Sequence, residues 1–464
     1  MTKEQVEAIH QASLRILDET GITLIEPEGR AILLDSGAYM EGDRIHLPPE
    51  LVERLLEHCP PLVQLQGRSL SIINLGDGNL HWHNLGGARL VYGGVDGTQR
   101  PALIQDVRDS TRLLDALDGV STITPFFTPQ DVPGKVMSLA MYRYALPHTT
   151  KPLHGQGVQN EIEVGYAIRM AEVIGPPSNF LSLSVSPVSP LSFPNEAVKA
   201  ILAIARAGIP FAPLPCPTAG TTAPFSLAGA VSQQNAEVLA SLVLAQIVHP
   251  GLPIMYCGRL AMMEPRSGFS VWGGVELGLA SAATVQIAHR YQLPVNVYGF
   301  STNANTLDVQ NGFERALNAA IPALAGADEL SGIGEMYAGV AGSYAQMVVD
   351  NELAASVRRL RNGFITDQDS LAVEVIASAL IGAGNFLGQK HTSRYLRSGE
   401  VLITHLAERR SREAWENDDK KGMVERAADE ARQLIDGHQV TPLDDLQERE
   451  LDIILSSAID AMVD

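Results

Sequence analysis

Aromatic side chains are scarce in this chain: 3 Trp, 11 Tyr and 11 Phe among 464 residues. Phe127, Tyr256, Phe300 and Tyr337 nevertheless stand at the ends of short apolar runs. His154, Arg259, Asn303 and Glu335 occupy the same kind of position. Aromatic faces gathered around an acidic residue hold a quaternary ammonium, each contact contributing roughly 0.5–2 kcal/mol by cation–π attraction. The competing use of the same rings is to cap a hydrophobic core.

Other chemistries are less well served. His81 and His83 flank Trp82, and on a strand both imidazoles would share one side. With Cys216 and Cys257 they could compose a Cys–Cys–His zinc site. No CxxC or HxxxH occurs, however, and lone cysteines are usually inert core residues, so no metal is expected. A GxSxG nucleophile elbow, a P-loop lysine pattern and a GxGxxG fingerprint are all missing. Hydrolysis, phosphoryl transfer and nucleotide binding therefore have no support.

These residues need elements to position them. From about residue 106 helical patterns alternate with short apolar runs: VSTITPFF, KPLHGQGV, FLSLSVSP, IPFAPLPC, LPIMYCG, LPVNVYGF, ADELSGIG and the brief GFIT. Buried parallel strands read as such runs, and eight αβ units over this length fit a TIM (β/α)8 barrel. A doubly wound open sheet is the competitor. Residues 61–105, broken by GDG, GG and DG, read as antiparallel hairpins. The organisation expected is an α+β appendage over 1–105, a barrel over 106–370 and a helical extension over 371–464. In a barrel, chemistry sits at the C-terminal strand ends, where the residues above fall.

Composition bounds the rest. Hydrophobic residues make up 45% and charged residues 19%, which suits a large folded core. A net charge of −19 provides no global basic footprint for nucleic acid. Three cysteines suggest a reducing compartment. Neither a signal peptide nor an uninterrupted apolar span of membrane length is visible, so a cytoplasmic location is expected.

Five stretches in order resemble the trimethylamine methyltransferase family, in its form without pyrrolysine. They are PTAGTTAPFSLAGAVSQQNAEVLASLVLAQIVHPGLPIMY (217–256), GFSTNANTLDVQNGFE (299–314), AGADELSGIGEMYAG (325–339), SYAQMVVDNEL (343–353) and HTSRYLRSGE (391–400). The resemblance implies a TIM barrel that moves a methyl group from a methylated amine to the Co(I) of a separate, cognate corrinoid protein. No tightly bound cofactor is implied, since that partner supplies the corrinoid. Ordinary residues fill 325–353, where family members acting on trimethylamine carry pyrrolysine near the seventh strand. The expected substrate is therefore a quaternary amine, with glycine betaine first and proline betaine or carnitine as alternatives. A betaine-binding barrel without turnover is a further alternative. Glu335 is the expected catalytic residue. Phe127, His154, Tyr256, Phe300, Tyr337, Arg259 and Asn303 are the expected substrate contacts. Neither a nucleic acid nor a membrane is an expected partner, and a homo-oligomer is compatible with the helical tail.

Overall fold

The computed structural model describes residues 1–462 apart from positions 70, 94, 383 and 419. His81–Asn84 pairs in parallel with Glu329–Ile333, which pairs with Val295–Tyr298, which pairs with Tyr256–Gly258. Leu181–Val185 lies between Leu153–Gly157 and Phe211–Pro213, again in parallel. Parallel bridges from His83 to Thr122, Ile123 to Leu153 and Phe211 to Ile254 join these two sheets. Among the described residues the ring thus closes through eight staves, with 122–124 as the second. Each is followed by a helix, from Ile104–Ala116 after the first to Tyr344–Asn362 after the last. This is a TIM barrel.

One stave differs from the sequence expectation. Residues 363–366 form no strand, and Phe364 and Ile365 are 74% and 72% exposed. The missing stave is His81–Asn84, inside the expected appendage. It lies between two hairpins, Val63–Gln66 with Ile72–Leu75 and Leu90–Tyr92 with Gln99–Pro101. Its polar alternation reads as hairpin because apolar runs are the usual mark of a buried parallel strand. Here the barrel interior is itself polar, so His83 points to function rather than to an exposed face.

The N-terminal region has a packing task. The helix Leu227–Val248 is buried all round from Ala230 to Gln246. A helix buried on every face must be covered on every side, and its Asn235 and Glu237 are hydrogen-bonded inside that cover. Lys3–Arg15, Pro27–Asp35 and Pro49–Leu56 pack on the face that the barrel leaves open. At the other end of the chain, Met423–Gly437 packs on Tyr344–Asn362 and Ile104–Ala116. Asp445–Met462 lies against Met137–Ala145, where Arg143 bridges Glu448 and Asp452 at 2.7 Å each. Among the described residues no helix is long and apolar enough to cross a membrane.

Candidate active site

Successive side chains of a barrel stave point alternately inward and outward, so residues two apart share the interior. Several staves carry polar residues at that spacing: His81 and His83, Thr122 and Thr124, Asn296 and Tyr298, Glu329 and Ser331. Thr122, Asn296 and His83, with His154 from a neighbouring stave, gather around Glu329, which is fully buried. Its Oε1 accepts from Thr122 Oγ1 at 2.9 Å. Its Oε2 accepts from Asn296 Nδ2 at 2.6 Å and lies 2.8 Å from His154 Nε2. Ser182 Oγ meets His154 Nδ1 on the far side of the ring. Burial alone would push the Glu329 carboxyl up, but His154, His83 and the hydrogen bonds from His154 and Asn296 outweigh it. The net result is a carboxylate held well below its ordinary range.

Above this cluster a cavity of about 300 Å³ opens at the C-terminal mouth. Its wall includes His83, Asn84, Thr124, Cys216, Arg259, Tyr298 and Ser331, with Gly86, Gly87, Gly155 and Gly157 at the rim. Arg259 is only 6% exposed. It donates to the carbonyls of Gly258 at 3.1 Å and Asn296 at 3.0 Å, and to Asn296 Oδ1. Its guanidinium stacks 4.5 Å from the centre of the Tyr298 ring. Burial pushes the Tyr298 hydroxyl upward and pushes His83 down to about 4. Among the described residues Arg259 forms no ion pair. Through the Asn296 amide it is joined to Glu329.

The expected site residues separate into distinct places. Arg259 lines the cavity. His154 lies in the cluster beneath it, with its ring 5.6 Å from that of His83. The ring of aromatic faces does not assemble. Tyr256 points out of the barrel and donates from its hydroxyl to Asn235 Oδ1 at 2.7 Å. Phe300 stacks on Trp82 at 4.4 Å, and Phe127 packs on Phe126 at 4.7 Å. Tyr337 stands at the turn of the Glu335–Met336 and Ala341–Gly342 hairpin, 44% exposed and with φ of 51°. Asn303 pins a loop: its Oδ1 accepts from the backbone of Trp272 at 2.6 Å and Gly273 at 2.8 Å. Glu335 is 1% exposed and lies outside the cavity wall. Its Oε1 accepts from Ser301 Oγ at 2.8 Å, and burial pushes its pKa up to about 7 in spite of Arg315 nearby.

Sequence reasoning missed Asn296, Glu329 and Ser331, and weighed His83 only as a zinc ligand. All lie within staves rather than just beyond them. The signal was available as polar residues two apart inside otherwise apolar runs. Among the described residues no group of three or more His, Cys, Asp or Glu side chains is placed to hold a metal ion. Burial pushes the Cys257 thiol up to about 12, which leaves it protonated at neutral pH.

Comparison with known proteins places this geometry. The chain is similar to the trimethylamine methyltransferase of Desulfitobacterium hafniense, with 30% identity over 450 residues, 95% of this chain and 90% of that one. It is 29% identical over 425 residues to the glycine betaine methyltransferase of another strain of that species, covering 89% of this chain and 88% of that one. The crystal structure of a hydroxylamine complex of MtmB shares the fold at a TM-score of 0.50 and 12% identity, covering 94% and 93% of the two chains. The family model described as trimethylamine methyltransferase (MTTB) matches residues 1–456. The chain belongs to the trimethylamine methyltransferase family and is a methyltransferase.

Proposed function

We propose that this protein moves a methyl group from a quaternary amine bearing a carboxylate, glycine betaine first, to the Co(I) of a separate corrinoid protein. The observation that carries this reading is Arg259: a buried cation in the wall of the mouth cavity, with no carboxylate among the described residues paired to it. A second positive charge placed roughly 6 Å from it would be repelled by about 3 kcal/mol at an effective dielectric near 20. That exceeds one cation–π contact at roughly 0.5–2 kcal/mol. A zwitterion avoids the penalty by bringing its own anion.

The chemistry asks little of the protein. The Co(I) electron pair attacks the methyl carbon, and the C–N pair returns to nitrogen. The products are neutral at nitrogen and methylated at cobalt: dimethylglycine and a methyl–Co(III) corrinoid. No proton moves, so no general acid is required. The protein holds the amine, aims one methyl outward and excludes water. The four glycines at the rim leave the mouth uncrowded for a bulky methyl acceptor. Ordinary residues over 325–353 and the likeness to a glycine betaine methyltransferase support the same substrate class.

The test is an anaerobic assay with reduced corrinoid, bound to its protein or free, followed by the absorbance of methylcobalamin. Glycine betaine, proline betaine, carnitine, choline and trimethylamine form the panel. Turnover with a betaine and little with trimethylamine is expected. Vigorous trimethylamine turnover, or zinc-dependent activity without corrinoid, refutes the reading.

A further inference from the structure

The orientation of the Asn296 amide is fixed by its neighbours. Arg259 can only donate, and it donates from Nη2 to Asn296 Oδ1. The amide nitrogen therefore faces Glu329 Oε2 at 2.6 Å and His83 Nε2 at 2.7 Å. An N–H directed at Nε2 needs a lone pair there. The His83 imidazole is consequently neutral and carries its proton on Nδ1. Burial keeps it neutral by lowering its pKa to about 4. Yet among the described residues Nδ1 has no hydrogen-bond partner, although His83 is 6% exposed and its ring lines the mouth cavity. A buried N–H without an acceptor is a costly feature to keep.

Arg259 has a matching surplus. Both Nη1 hydrogens and one Nη2 hydrogen are spent on Gly258 and Asn296. The remaining Nε–H and Nη2–H share the other edge of the guanidinium, whose face stacks on the Tyr298 ring and which also engages the Tyr298 hydroxyl. That edge has the spacing of the two oxygens of a carboxylate.

We infer that His83 is a specificity-determining residue: its Nδ1–H, with the outer edge of Arg259 beside Tyr298, anchors the carboxylate of the substrate. The amine half of this statement rests on the methyl-transfer reading above, whereas the anchoring of a carboxylate does not. Asn296 and Glu329 act as positioning residues that hold His83 in the donating tautomer. A bare tetraalkylammonium would leave both donors unmet, and the neutral hydroxyl of an alcohol accepts more weakly than a carboxylate and cannot take the two-oxygen arrangement.

The test uses the whole protein with 15N-labelled histidine, the His83 nitrogens being assigned with His83→Gln. In the free protein the proton should sit on Nδ1. Saturating glycine betaine should shift the Nδ1–H signals, and saturating choline should leave them in place. In calorimetry His83→Ala should weaken glycine betaine about ten- to a hundredfold, the scale of a hydrogen bond to a charged group. Choline should change by less than about twofold, and His83→Gln should restore part of the betaine affinity through its amide N–H. A proton on Nε2, or equal effects of His83→Ala on both ligands, overturns the inference. If the wild type binds no quaternary amine, acetate and dimethylglycine serve as probes. A shift of Nδ1–H by these, lost in Arg259→Met, keeps the anchor and discards the methyl-donor reading. No response of His83 to any carboxylate discards the anchor.

Discussion

His154 Nε2 lies 2.8 Å from Glu329 Oε2 at the centre of the barrel, with both side chains 1% exposed or less. Ser182 sits on the other ring nitrogen, so neither end of this chain reaches the cavity. The pair resembles the base and orienting acid of a nucleophilic site, but no substrate atom can reach its serine. Its effect runs the other way, through Asn296 to His83 and Arg259, whose side chains do face the cavity. The buried carboxylate is the fixed charge against which the mouth is arranged.

Glu329→Gln keeps the shape and removes that charge. An amide at this position presents an N–H to groups that also donate. Breaking a buried pair in this way costs about 3–5 kcal/mol, read at pH 7 by urea unfolding. The Glu329 pKa is lowered by folding, so its contribution is full above the unfolded value of 4.5 and lost as pH falls through the folded one. The gap between wild type and variant should therefore be about 2 kcal/mol smaller at roughly pH 3 than at neutral pH. A gap independent of pH would contradict the ionised assignment.

Arg259→Met should weaken glycine betaine by about 2–5 kcal/mol, the scale for truncating one partner of a buried charge pair. Choline should bind as well or better, because the repelling cation is gone. Calorimetry with both ligands decides the matter. A parallel loss for both would place Arg259 in scaffolding, through its stack on Tyr298, rather than in recognition.

Glu335→Gln tests a different buried carboxyl. Folding raises the pKa of Glu335 from 4.5 to about 7 by burial. The protonated form is thus favoured in the folded state. Its stabilising effect is full below the unfolded value and lost as pH rises towards the folded one. Relative to wild type, the variant should gain stability between about pH 4.5 and 7, by about 3 kcal/mol in all, and then level off. Denaturation midpoints in a pH series measure this. A flat difference would mean that Glu335 is ionised throughout.

Tyr256→Phe removes the hydroxyl that donates to Asn235 on the helix Leu227–Val248. About 1 kcal/mol of stability should be lost, with betaine affinity unchanged. A fall in affinity without a fall in melting temperature would return Tyr256 to the binding site.

Much of this was legible in the residues. The alternation of long helical periods with short apolar runs determined the barrel, because a parallel stave buried on both faces must be apolar and its return helix must be amphipathic. Seven staves were readable on that ground. The order of five motifs identified the family. Arg259 was one of several polar residues at run ends, and the residues alone did not rank it above His154 or Asn303. Tertiary structure decided the rest. Whether Tyr256 faces the pocket or the outer helices depends on a one-residue phase in the stave, which composition does not set. His81–Asn84 became a stave because its neighbour Glu329–Ile333 offered an open edge, a contact almost 250 residues away in the chain. The tautomer of His83 depends on an amide from one stave, a carboxylate from the next and a guanidinium from a third. Sequence names each of these groups, but only closure of the ring brings them within hydrogen-bonding distance and so fixes which atom holds the proton.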